Sequence, residues 1–291
     1  MKKALAFDIG GTKIYYTIVN EQGEIVGDIK KNSTPKTIDE IKSILEKGIA
    51  ENPDVGVIAI ATAGAVNNEN TRVISSTGNL PDGYRNIDFQ KLSDKKVFVE
   101  NDANAASWAE YKIGSSKGCA NSVMLTLGTG VGGGIILNNK LYKGKSGSAG
   151  EMHFKMYPDK RRKCTCGAYD CFEAYASGTG LKHTAEEITG NKEITTYDVI
   201  DGLKVGCPEM TKVFKTWQNH ITQGIIGLAN IFDPDCFVLS GSMAQFVDTQ
   251  KIEEDVNSEI VTSPTRVKLG TAGNYSGMIG TALLALESLE G

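Results

Sequence analysis

The sequence predicts an α/β protein built from two related halves, and three observations predict it. An apolar run at residues 4–9 meets a β-branched and aromatic run at 14–19 across a glycine turn. The same order of strand, glycine turn and strand returns at 122–137. Continuous apolar runs at 55–61 and 236–239, as in strands covered on both faces, alternate with helical stripes. Two such halves suggest a duplicated α/β unit facing a shared cleft.

The elements follow in order. Residues 4–9 and 14–19 are strands, and 24–29 alternate after the Gln22-Gly23 turn, which reads as a third. Residues 37–50 carry apolar side chains at 38, 41, 44, 45 and 49, a helical stripe. A buried strand at 55–61 follows, then a short one at 97–99. The latter runs into Asn101-Asp102, which opens a helix to residue 113. Asp102 stands where a helix cap or first-turn acid belongs. In the second half, 122–127 and 134–137 are strands around a glycine turn at 128–134. Asn138-Asn139 makes a hairpin turn into 141–142. Residues 144–172 read as irregular. From 208 to 232 apolar residues recur every three or four positions, a helix of about 35 Å. A strand at 236–239, a helix at 243–259, a strand at 266–269 and an apolar helix at 276–289 complete the chain. No stretch reads as a linker or a disordered tail.

Composition narrows the function. Glycine makes up 33 of 291 residues, above the usual share of about 7%. With only 7 prolines and no period of three, this is not collagen-like. The excess therefore belongs at turns, close approaches or ligand-wrapping loops. A net charge of −4 argues against nucleic-acid and anionic-membrane partners. The longest apolar stretch, 55–66, is too short to span a bilayer. Asp8 breaks the first apolar run too early for a signal peptide, so a cytoplasmic location is expected. The six cysteines do not form a disulfide framework. Cys119, Cys207 and Cys236 are scattered and read as small buried apolar residues.

Two familiar motifs fail on context. Residues 128–133 fit G-x-G-x-x-G, but a strand follows where a dinucleotide site needs a helix. Gly144-Lys145-Ser146 lacks the glycine and the strand–loop–helix setting of a P-loop. The turn Asp8-Ile9-Gly10-Gly11-Thr12-Lys13 is more informative. Glycine permits close approach, Thr12 and backbone N–H groups donate, and Lys13 adds charge, as phosphate requires. A tight turn needing glycine for positive φ fits this motif alone equally well. Its pairing with Thr129, Gly130, Gly132 and Gly133 in a second turn favours phosphate. Asp102 after a strand reads either as a helix cap or as a base for a hydroxyl nucleophile. Cys164, Cys166 and Cys171 fall within eight residues. With a fourth ligand they would make a closed zinc site, and His153 is the nearest upstream candidate; a loop of reduced thiols is the alternative. The basic run 160–163 beside them reads as a solvated loop.

These motifs, in this order, resemble the ROK family of sugar kinases and related repressors, and the match spans nearly the whole chain. Residues 8–13 resemble the family's first phosphate motif and 128–134 its second. Leu239-Ser240-Gly241-Ser242 resembles its adenosine-side turn, and residues 100–105 its catalytic-Asp segment. Gly150-Glu151 and the stretch 164–178 resemble its signature. The resemblance implies an actin-like, hexokinase-type fold with two α/β lobes around a cleft: residues 1–118 with 277–291, and 119–276. It implies ATP and Mg²⁺ as cofactors, with Asp102 as general base toward a sugar 6-hydroxyl. Gly64, Asn79, Asn101, Asp102, Glu151 and Glu173 would hold the sugar. Asp8, Gly10, Gly11, Thr12, Lys13, Thr129, Gly130, Gly132, Gly133 and Gly241 would hold the nucleotide.

One departure stands out. The family's Glu-x-Gly-His reads Glu151-Met152-His153-Phe154 here, so Phe154 takes the place of the zinc-binding His. Family repressors carry a helix-turn-helix ahead of the first phosphate motif, and seven residues before Asp8 leave no room for one. The segment 101–110 resembles that of N-acetylmannosamine kinases, whereas Glu151 is more typical of the glucokinase branch. N-acetylmannosamine is the expected substrate, glucose the runner-up, and a silent sugar-binding regulator the reading from another class. A homodimer is expected.

Overall fold

The computed structural model describes residues 2–76, 78 and 80–290. In chain order the strands and helices are β1 (Lys3–Ile9), β2 (Lys13–Asn20), β3 (Lys30–Ser33), α1 (Ile38–Glu51), β4 (Val57–Thr62), β5 (Ala65–Val66), β6 (Val73–Ser75), β7 (Val97–Asn101), α2 (Asp102–Ile113), β8 (Ser122–Leu127), β9 (Val131–Leu137), β10 (Lys140–Leu141), α3 (Glu173–Ala176), α4 (Gly178–Thr189), α5 (Thr196–Lys204), α6 (Pro208–Phe232), β11 (Cys236–Ser240), α7 (Thr249–Glu259), β12 (Arg266–Leu269) and α8 (Ser276–Glu287). Among the described residues, no helix is long and apolar enough to cross a membrane.

Two five-stranded sheets carry one strand order. The first runs β3-β2-β1-β4-β7 and the second β10-β9-β8-β11-β12. β1, β4 and β7 are parallel, as are β8, β11 and β12. The repeated strand–glycine–strand signal is thus a repeat of sheet topology. The chain divides into two compact units. One comprises Met1–Gly118, Gly134–Gly150 and Thr271–Gly291, the other Cys119–Gly133 and Glu151–Gly270.

In the first unit both faces of the β1–β4 pair are covered. Leu5, Phe7, Ile9, Ile58 and Ile60 pack with Ile41 and Leu45 of α1. On the other face Ala4, Ala6, Val57 and Ala59 meet Met278, Ala282, Ala285 and Leu286 of α8. Burial on both faces is why β4 reads as a continuous apolar run. α8 also passes α2 so closely that a Cβ on Gly280 would collide with the Ala105 carbonyl. In the second unit α6 supplies the core stripe. Val213, Trp217, Ile221 and Ile225 are wholly buried, each aliphatic worth roughly 1.5–3 kcal/mol. The Trp217 indole donates to Ser177 O at 2.9 Å.

Four local expectations need correction. The third strand is Lys30–Ser33, not 24–29, pairing from Lys13↔Ser33 to Tyr16↔Lys30. Asn20 Oδ1 accepts from Gln22 and Glu24 N–H and closes the turn, while Gly27 O takes the Thr17 hydroxyl. This leaves one bridge in the expected segment, Val19↔Ile25. The true strand is a polar edge, Lys-Lys-Asn-Ser, with no apolar alternation to read. β9 begins three residues earlier than expected, at Val131. The helix expected over 243–259 breaks into a 3-10 turn, Ala244–Phe246, and α7. Asp248 restarts it by accepting from Lys251 N–H at 3.0 Å. Arg162 in the basic run is buried rather than solvated. It forks onto Glu187 at 2.7 and 2.8 Å and donates to Ala174 O, Gly180 O and Thr184 Oγ1. Its guanidinium lies 4.3 Å over the Tyr175 ring; Lys160, Arg161 and Lys163 are exposed.

Candidate active site

The first unit holds Asp8, Gly10, Gly11, Thr12, Lys13, Gly64, Asn101 and Asp102. The turn between β1 and β2 is closed by Gly10 N–H on Lys13 O at 3.0 Å. Thr34 ties it from outside, its hydroxyl on Gly10 O at 2.6 Å and its N–H on Thr12 O at 3.0 Å. Gly11, Thr12 and Lys13 are exposed. Neither Gly10 nor Gly11 has positive φ, so the turn does not need glycine for backbone conformation.

β7 delivers the acid. Asn101, not Asp102, caps α2: its Oδ1 accepts from Ala103 and Asn104 N–H, each at 3.0 Å. Asp102 is therefore the first-turn acid, where the helix dipole favours a carboxylate. Asn101 Nδ2 donates to Gly64 O at 3.0 Å. Asp8 and Asp102 act on each other: burial and then the Asp102 charge push the Asp8 carboxyl up to about 7. Burial also raises Tyr84, whose hydroxyl lies 2.8 Å from Thr62 Oγ1; the two acids push it the same way.

Sequence reasoning missed the support beneath this acid. Glu100 is fully buried and accepts from Asn101 N–H at 2.9 Å and Asn70 Nδ2 at 2.7 Å. Lys143 pairs with it at 3.0 Å and also donates to Asn67 O. Glu100 sits inside a motif that was legible. Lys143 lies in an irregular stretch with no local pattern, so only the fold could reveal the pair. Asn79 lies outside the described residues.

The second unit holds Thr129, Gly130, Gly132, Gly133, Glu151, Glu173, Gly241, His153 and the three clustered cysteines. The turn between β8 and β9 is braced by side chains. Glu173 Oε2 accepts from Val131 N–H at 3.1 Å, and Thr126 Oγ1 from Gly132 N–H at 3.1 Å. The start of α4 adds Gly178 N–H to Gly128 O and the Thr179 hydroxyl to Thr129 O, each at 2.8 Å. A Cβ on Gly128 would meet nothing within 4 Å, whereas one on Gly130 would strike the Glu173 carboxylate at 2.5 Å. Gly241 has φ +90°, and a Cβ there would lie 2.5 Å from Leu127 O. This glycine is required by backbone conformation.

His153 and Cys164, Cys166 and Cys171 bring one nitrogen and three sulfurs within 4.8 Å of one another. His153 Nδ1 is 3.5 Å from Cys164 Sγ, and Cys166 and Cys171 are 3.5 Å apart. Metal–donor bonds of about 2.0–2.3 Å in a tetrahedron need such spacings, so the set fits zinc. His153 Nε2 lies 3.6 Å from Glu151 Oε2, a position suited to orienting the ring. Phe154 instead stacks on Phe172, centroids 4.9 Å apart. Glu173 touches the cluster too, accepting from Thr165 Oγ1 at 2.5 Å and lying 3.5 Å from Cys164 Sγ.

Residues 4–288 match the ROK family. The chain belongs to the ROK family. It is a sugar kinase of that family, ATP-dependent, with the actin-like ATPase fold. It is 34% identical over 322 residues to a glucokinase of Streptomyces coelicolor, covering 99% of this chain and 98% of that one. It is 32% identical over 297 residues to an N-acetylmannosamine kinase of Yersinia pestis, covering 99% and 100%. A ROK glucokinase from Streptomyces griseus, solved with glucose and AMPPNP, has TM-score 0.80 at 29% identity, covering 98% and 99%.

Proposed function

We propose that this kinase transfers the γ-phosphate of ATP to the 6-hydroxyl of N-acetylmannosamine. The observation that carries the chemistry is Asp102, an ionisable acid held at the first turn of α2 by the Asn101 cap. It takes the proton from the hydroxyl as the oxygen attacks the γ-phosphate. Gly64, Asn79, Asn101, Glu151 and Glu173 hold the sugar hydroxyls. Gly10, Gly11, Thr12, Lys13, Thr129, Gly130, Gly132 and Gly133 carry the phosphates, and Gly241 the adenosine side. The absence of positive φ in Gly10 and Gly11 and the open space at Gly128 support this: the glycines leave room for a ligand. Bound Mg²⁺ supplies charge neutralisation at the phosphates. Asp8, whose proton is held by burial and by Asp102, is the residue here that a divalent cation would relieve. His153 and the three cysteines hold a structural zinc ion. The enzyme works as a cytoplasmic homodimer.

The sugar rests on chain economy. The N-acetylmannosamine kinase aligns over 297 positions, near this chain's own length, while the glucokinase needs 322. Glu151 favours the second reading, glucose. A coupled ADP-release assay over hexoses and N-acetylhexosamines decides between them. The expected outcome is a higher kcat/KM for N-acetylmannosamine; a glucose value well above it overturns the assignment. Asp102→Asn should cut kcat by about 10²–10⁴-fold and leave the calorimetric sugar Kd nearly unchanged. Ordinary turnover in that variant removes Asp102 as the base.

A further inference from the structure

Outside the active-site residues, the second unit brings two distant thiols together. Cys236 Sγ lies 3.1 Å from Cys119 Sγ across 117 residues of sequence. For comparison, Cys166 and Cys171 in the cysteine cluster stand 3.5 Å apart. Cys236 is fully buried at the first position of β11, and Cys119 is half-buried ahead of β8. The backbone around them is fixed. Asp235 N–H donates to Asn121 O at 2.9 Å, and Asn121 N–H donates to Asp235 Oδ2 at 2.8 Å. β8 and β11 then run parallel from Cys236↔Ser122. The sulfurs therefore need only about 1 Å of approach to reach bonding distance.

We propose that Cys119 and Cys236 are a peroxide-responsive thiol pair that closes into a reversible disulfide. Cys119 is the one a solute can reach. Its thiol attacks one oxygen of hydrogen peroxide and gives up its proton; the O–O bond breaks, the sulfur keeps a hydroxyl as the sulfenic acid, and the other oxygen leaves with that proton as water. The Cys236 sulfur then attacks the sulfenic sulfur, the S–O bond breaks, and a second water leaves with the Cys236 proton. The two sulfurs together lose two electrons, and the peroxide gains them. A buried partner at contact distance resolves the sulfenic acid before a second peroxide can carry Cys119 to the irreversible sulfinic acid. The linkage joins β8 and β11 at their starts, opposite the strand ends that lead to Gly128 and Gly241.

The test uses the full-length, zinc-supplemented, reduced protein and limiting hydrogen peroxide. Free thiols are blocked with iodoacetamide before peptide mapping. The expected product is a peptide pair linked through Cys119 and Cys236, lost after dithiothreitol. In Cys236→Ser, Cys119 should stall as the sulfenic acid and gain a dimedone adduct absent from the parent protein. Cys119→Ser, at the half-buried position, should leave Cys236 unoxidised at the same dose. The proposal is overturned if the parent protein goes to sulfinic acid at Cys119 without a linked peptide. It is equally overturned if Cys119 remains fully alkylatable while other thiols oxidise.

Discussion

The turn after β1 is tied by a single threonine, Thr34, acting on the carbonyls of Gly10 and Thr12. The turn after β8 is tied by Thr126, Thr179 and a carboxylate 42 residues downstream, Glu173. The strands before them end differently as well. The residue two before Gly10 is Asp8, and the residue two before Gly128 is Thr126. One turn brings charge; the other brings a hydroxyl that is spent on the turn's own N–H. Equal topology therefore carries unequal duties. The first turn is loosely held and electrostatically loaded. The second is shaped by a network reaching back to the cysteine cluster through Thr165 and Cys164.

Between the two turns, the largest expected effect tests that network. Glu173→Ala removes the carboxylate acceptor of Val131 N–H, a loss of about 1.5–3 kcal/mol, or roughly ten- to a hundredfold in an affinity. KM for ATP should rise by that factor. A zinc chelator should shift KM for ATP in the same direction in the parent enzyme and add little in Glu173→Ala. If steady-state kinetics show a change in the sugar KM alone, the carboxylate does not shape the nucleotide turn. Next comes Gly128→Ala, whose Cβ would meet nothing within 4 Å. Its Tm should stay close to that of the parent while KM for ATP rises several-fold. Gly10→Ala should behave alike, its Cβ only 3.5 Å from Lys13 O. Gly241→Ala, forced to positive φ, should instead lose more than about 1 kcal/mol of stability. Unchanged ATP affinity in Gly128→Ala would remove phosphate from the second turn.

The contrast between the turns also marks what the sequence could and could not tell. The first glycine turn, β4 and α6 were legible because local spacing sets them; the second turn was read too long, since β9 already begins at Val131. The β3 edge was not legible, since Lys30–Ser33 has no apolar face to alternate. Asn101 as the cap of α2 was hidden by its neighbour Asp102, which is also a cap-forming residue type. The Lys143–Glu100 pair and the burial of Arg162 were beyond reach: each depends on a partner brought close only by folding, 43 positions away for Lys143 and 25 for Arg162. The His153 ligand geometry was visible only as a candidate. The stacking of Phe154 on Phe172 and the approach of His153 Nδ1 to Cys164 Sγ are tertiary facts.

A last effect, read in stability rather than turnover, isolates the charge on the first turn. Asp8 keeps its proton to about pH 7 in the folded protein, against an ordinary value of 3.8. Between those values the native state binds more protons than the unfolded chain. The Asp8 contribution to stability therefore falls as pH rises from about 4 to 7, and it is fully present only below that window. Asp8→Asn removes this dependence. In urea titrations without ATP or Mg²⁺, the variant should match the parent near pH 4. At pH 8 it should be more stable by up to about 4 kcal/mol, since no carboxylate is then forced to ionise beside Asp102. Thr126→Val at the matching place in the second sheet removes no charge and should leave the shape of the pH profile unchanged. Parallel pH profiles for Asp8→Asn and the parent would mean that Asp8 ionises normally. Asp8 would then be an ordinary charged carboxylate, and its coupling to Asp102 would not distinguish the first turn from the second.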